Sequence, residues 1–184
     1  YLEATYQAVK NQNIEINTDT FDVENLDSQQ INKINFVSVN KKIKNFIQLF
    51  IEDENGLSEK NSIKYPVLQT TELQRFEFDL KDFENIKNLR LDPLNDSCVI
   101  EIDSIVLKKQ DTSVDLMPYI SSNCDIKHSN SYFFTTNDSQ IYFENLPSDI
   151  FENTNSMEVS IRYAHISKDA LEVTIKQELE QTKQ

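Results

Sequence analysis

The chain alternates apolar and polar residues with period two along most of its length. In residues 45–53, NFIQLFIED, Ile47, Leu49 and Ile51 fall on one face of a strand and Phe46, Gln48 and Phe50 on the other. Residues 31–39, INKINFVSV, show the same rhythm, with Ile34 and Phe36 set against Asn35 and Val37. Phe76, Phe78 and Leu80 alternate with Arg75, Glu77 and Asp79, and Leu89 and Leu91 alternate with Arg90 and Asp92. Ile100 and Ile102 alternate with Glu101 and Asp103, and further runs follow at 131–136, 140–146 and 156–166. Polar turns separate these runs: Asp53-Glu54-Asn55-Gly56, Asp92-Pro93-Leu94-Asn95-Asp96 and Asn137-Asp138-Ser139. Short alternating strands joined in this way predict an all-β chain, an antiparallel β-sandwich.

The two ends read differently. Leu2, Tyr6 and Val9 are spaced as one helix face, and Ser167 is placed to cap a helix over 167–184. Leu171, Ile175 and Leu179 repeat every four residues along that helix, and Glu172 and Lys176 are placed as an ion pair. The expected organisation is a helical tail over 1–12, a sandwich over 13–109, a connection with additional strands packing on it over 110–166, and the start of an amphipathic helix, a possible coiled coil, over 167–184. With no initiator Met and no C-terminal cap, the chain reads as a middle segment of a larger protein, and catalysis is expected in its other parts.

Composition narrows the function. The 184 residues carry 18 Lys and Arg against 31 Asp and Glu, a net charge of −13. That charge argues against binding nucleic acid or an anionic membrane. A single Gly excludes a phosphate-binding P-loop and a GxGxxG dinucleotide loop. No apolar run is long enough to span a bilayer. Two Cys, Cys98 and Cys124, make no disulfide framework, and a cytoplasmic, reducing setting is expected. Cys124 and His128 alone are too few for zinc, Cys98 reads as a buried apolar residue, and His165 falls on the apolar face of its strand.

Residues 78–109, FDLKDFENIKNLRLDPLNDSCVIEIDSIVLKK, carry the pattern LRLDP, a turn, then a strand of the form I-x-I-D-S-I. This resembles the LRxDP-motif jelly-roll domain, similar to carbohydrate-binding modules, that is appended to bacterial surface-polysaccharide glycosyltransferases and methyltransferases. ENGLSEKNS, from residue 54, is similar to the GnGFsEe-S stretch of a subset of these domains, with Leu57 in place of Phe, and the chain has no Trp. The resemblance spans about residues 30–109. It implies a jelly-roll-like sandwich and a non-catalytic role, binding a growing polysaccharide or positioning neighbouring catalytic domains.

A saccharide site needs aromatic faces and planar polar side chains that bond vicinal hydroxyls. Phe46, Gln48 and Phe50 offer these on one strand face, with Arg75, Glu77, Arg90 and Asp92 from neighbouring strands and Tyr65 overhanging from a loop. The competing reading has Phe46 and Phe50 covered by the N-terminal helix or the 110–130 connection, and Arg90 paired structurally with Glu77 or Asp79. Asp53, Glu54 and Asn55 would suit a structural calcium, but an acidic loop is background at this net charge, and no cofactor is expected. Acid pairs such as Glu77 with Asp92 or Glu101 with Asp103 invite a glycosidase reading, but nothing in the sequence marks one as desolvated. A further reading is an assembly module that oligomerises through its terminal helices.

Overall fold

The computed structural model of the chain describes residues 45–181. The expected helix over 1–12 and strand over 31–39 lie outside them. The strands are β1 (Phe46–Glu52), β2 (Ser62–Pro66), β3 (Leu73–Asp79), β4 (Asn88–Asp92), β5 (Cys98–Lys109), β6 (Ser113–Asp115), β7 (Ile120–Ser122), β8 (Ile126–His128), β9 (Ser131–Phe134), β10 (Ile141–Phe143) and β11 (Thr154–Ile166), followed by helix α1 (Ser167–Gln181). They form two antiparallel sheets, the first in the order β2-β1-β4-β10-β7 and the second in the order β3-β11-β5-β9-β8, with β6 also on β5.

The period-two pattern sets which side chains meet. Ile47, Leu49 and Ile51 of β1, Leu89 and Leu91 of β4 and Ile141 and Phe143 of β10 turn one face of the first sheet inward. Phe76 and Phe78 of β3 and Met157, Val159 and Ile161 of β11 do the same for the second, and all of them join one apolar core. Removing a side chain such as Phe78, which is fully buried, from water contributes roughly 1.5–3 kcal/mol. Tyr163 of β11 buries its hydroxyl against the turn after β4, donating to the Pro93 carbonyl at 2.7 Å. The bond satisfies a polar group that would otherwise be stranded in the core.

Residues 110–166 belong to the same two sheets as the earlier strands. They supply β7 and β10 to the first sheet and β8, β9 and the central β11 to the second. Several expectations need correction. The simple alternation expected along β5 breaks after Ile102. There Ile161 pairs with Ile102 and Ser160 with Ser104, so Asp103 is an extra, bulged residue, and Ile105 and Leu107 return to the core. A second irregularity, between Tyr163 and His165, takes His165 off the apolar face and leaves it exposed.

Helix α1 begins at Ser167 as expected. Ala170 and Val173 pack on Val99, Ile126 and Phe133 of the second sheet. Ile175 and Leu179 remain 52% and 56% exposed. Ser167 also acts differently from a capping acceptor, since its hydroxyl donates to Asp96. On the helix Glu172 pairs with Lys168, at 3.4 Å, rather than with Lys176.

Candidate binding cleft on the first sheet

Strand β1 lies between β2 and β4, and its register places Gln48 opposite Asp92 and Phe50 opposite Arg90. Because the core residues take the odd positions of both strands, these four side chains share the outer face. The turn before β5 brings Asn95 to the same place, and the turn between β9 and β10 brings Asn137, Asp138 and Ser139. Two bonds hold those turns together: the Ser139 hydroxyl donates to the Leu94 carbonyl at 2.7 Å and accepts from the Leu94 N–H at 3.2 Å. Asn95 accepts the first amide of β1, Phe46 N–H, at 2.8 Å. A cleft of about 210 Å³ results, with Leu94 at its floor and Glu59 at its rim.

The polar side chains in the cleft are held in a fixed arrangement. Arg90 reaches Asp92 as a fork, Nε to Oδ1 at 2.8 Å and Nη2 to Oδ2 at 2.9 Å. Gln48, only 4% exposed, donates to the Ser62 hydroxyl at 2.8 Å and to Glu59 at 3.1 Å. Lys64 donates to the same Glu59 oxygen at 2.9 Å. The bonds from Lys64 and Gln48 hold the Glu59 carboxyl below its ordinary range. Burial acts the other way on Asp92 and, against the pull of Arg90, pushes its carboxyl up to about 6, with Asp138 and Glu59 adding to the rise.

The aromatic platform is not the one expected. The Arg90 guanidinium lies 4.4 Å from the Phe50 ring centroid, and the Lys64 ammonium lies 4.9 Å from that of Phe46. Phe50 is 6% exposed. Among the described residues, each ring thus carries a cation from its own sheet. Arg90 takes its own strand neighbour, Asp92, as partner, not Glu77 or Asp79.

Of the eight residues singled out from the sequence, Phe46, Gln48, Phe50, Arg90 and Asp92 line this cleft. Tyr65 does not overhang it. It pairs with Ile47 and turns inward, its ring 5.1 Å from Phe78 and 6.4 Å from Phe76. Arg75 and Glu77 lie on β3, in the other sheet, where Glu77 accepts a hydrogen bond from Ser156. The same separation removes Glu77 and Asp92 as an acid pair. Asn95, Asn137 and Asp138, whose sequence signal is that of turn formers, complete the cleft with Glu59 of the ENGLSEKNS stretch.

The acidic turn after β1 is accounted for by its own bonds. Asp53 accepts from the Asn55 N–H at 2.7 Å and from the Asn61 amide at 2.7 Å, and Gly56 takes a positive φ of 86°. Among the described residues no group of three or more His, Cys, Asp or Glu is placed to hold a metal ion. Nor is any helix among them long and apolar enough to cross a membrane. Burial pushes the Cys98 thiol up to about 12, the behaviour of an inert core cysteine. No family model, curated protein or solved structure matches this chain.

Proposed function

We propose that the chain is a non-catalytic, jelly-roll-like binding module that holds a saccharide in the cleft on its first sheet. The observation that carries this reading is the convergence of planar polar groups in one cleft: the Arg90–Asp92 fork, the Asn95 and Asn137 amides and the buried Gln48 amide behind them. Guanidinium, carboxylate and amide groups each present two bonding atoms in a plane, the spacing at which vicinal hydroxyls are recognised. The groups are ordered before any ligand arrives, which lowers the entropic cost of binding. With both Phe rings capped, the contact to a sugar is polar, and weak affinity follows. The LRLDP turn supports a setting in an enzyme of bacterial surface-polysaccharide synthesis, the module holding growing glycan or positioning catalytic domains of the same polypeptide.

A glycan array probed with the full chain tests this, beside Asn137→Ala and the double variant Arg90→Ala, Asp92→Ala. Removing both members of the ion pair avoids leaving a charge unpaired. Selective binding weakened by both variants supports the reading, and a parent chain that binds no glycan overturns it.

The exposed Ile175 and Leu179 favour a second reading, assembly through α1. Under that reading Ile175→Glu with Leu179→Glu converts an oligomer to a monomer in sedimentation. A parent chain that already sediments as a monomer contradicts it.

A further inference from the structure

The outer face of the second sheet carries another cleft, of about 250 Å³, beyond the area covered by α1. Its walls are Leu73 of β3, Arg162 of β11, Glu101 and the bulged Asp103 of β5, and the β8–β9 turn from His128 to Ser131. Two local features build it. The bulge leaves Asp103 without a residue opposite it on β11 and delivers its carboxylate to the surface. On the other side the Ile102 N–H donates to the Asn130 carbonyl at 3.0 Å, which fastens the β8–β9 turn against the bulge. Ser129 takes a positive φ of 56° in that turn, so His128 and Asn130 flank a tight reversal.

The functional groups here are open. Among the described residues the side chains of Asp103, His128 and Asn130 make no hydrogen bond or ion pair, while Glu101 and Arg162 are joined at 2.9 Å. Carboxylate, imidazole, amide and a preformed guanidinium–carboxylate pair therefore surround a concave space edged by the partly exposed Leu73. The two carboxylates disfavour an anionic ligand, since the one Arg is already neutralised.

We propose that this cleft is a second saccharide site, one that takes the neutral, hydroxyl-rich end of a glycan. Asp103 accepts from a hydroxyl pair, Asn130 donates and accepts beside it, and Leu73 meets the C–H face of the sugar. The ligand class rests on the reading of the first cleft, but the site stands on its own residues. The two clefts lie on opposite outer faces, with sheets packing about 10 Å apart between them, so one small sugar cannot touch both. The module would then hold two glycan segments, or two points of a folded chain, with the gain in avidity that bivalence brings.

Amide chemical shifts of the full chain, titrated with methyl glycosides of glucose, galactose, mannose and N-acetylglucosamine, separate the two sites. The expected result is a saturable shift at Asp103 and at His128–Ser131 with at least one glycoside. Asp103→Ala with Asn130→Ala then weakens that shift's apparent affinity about tenfold or more, with thermal stability retained and shifts around Asn95 and Asn137 unchanged. Shifts confined to the first cleft overturn the second site and leave the first. Shifts confined to the second cleft support it and overturn the first. No shift at either overturns both, and a response at Asp103 to spermidine but to no glycoside replaces the saccharide with a cationic ligand.

Discussion

On the first sheet's outer face Arg90 and Asp92 form a two-bond fork whose side chains are 20% and 19% exposed. On the second sheet's outer face Arg162 and Glu101 meet through one bond with side chains 47% and 44% exposed. The chemical groups are the same, but their surroundings differ. Arg90 is wedged between Phe50 and the cleft wall, so its charge is partly desolvated and its geometry fixed. Arg162 stands in solvent, where water screens the pair and side-chain entropy offsets most of the attraction. The comparison teaches that an ion pair's value here is set by what packs over it.

The largest effect is expected beneath both faces. Phe78→Ala removes a fully buried ring that Tyr65 packs against, and should cost about 3–5 kcal/mol in denaturant unfolding. A loss below about 1 kcal/mol would show that the two sheets do not share one core. Arg90→Ala comes next. It strands the Asp92 carboxylate and uncovers Phe50, at a cost of about 1–3 kcal/mol.

The pH dependence sharpens the same contrast. The Asp92 carboxyl sits at about 6 when folded against an ordinary 3.8. Between those values the folded chain binds the proton more tightly than the unfolded chain does. This group's contribution to stability therefore rises as pH falls from 7 toward 4. Urea midpoints of the parent measured against Asp92→Asn should shift in the parent's favour at pH 5 relative to pH 7, whereas a constant difference contradicts the burial argument. The smallest effect is expected for Arg162→Ala, at most about 0.5 kcal/mol by the same unfolding assay. A cost equal to that of Arg90→Ala would erase the distinction between the faces.

Alternation made much of this legible, and its limits are physical. The split of β1 into Ile47, Leu49, Ile51 and Phe46, Gln48, Phe50 follows from period two, and so do the inward Leu89 and Leu91. Alternation states which side of a strand a residue takes, not which sheet the strand joins. That is why Arg75 and Glu77, read as neighbours of Arg90, fall on the opposite sheet. The segment around Tyr65 reads as loop, whereas its pairing with β1 makes Tyr65 a strand residue facing inward. The bulge at Asp103 and the irregularity before His165 each reverse a face locally, and neither has a Gly or Pro to announce it. The cleft residues contributed by turns, Asn95 and Asn137, are side chains that also build turns, so their local pattern carries no separate mark of binding. For α1 the Leu171, Ile175 and Leu179 stripe is legible, whereas the packing of Ala170 and Val173 depends on Val99, Ile126 and Phe133, partners distant in the chain.

The most direct test of the central claim is the glycan array read with the full chain, with Asn137→Ala and the Arg90→Ala, Asp92→Ala double variant beside it. The account predicts selective binding by the parent that both variants weaken while remaining folded. Binding that persists unchanged in both variants, or no binding by the parent at all, would contradict it.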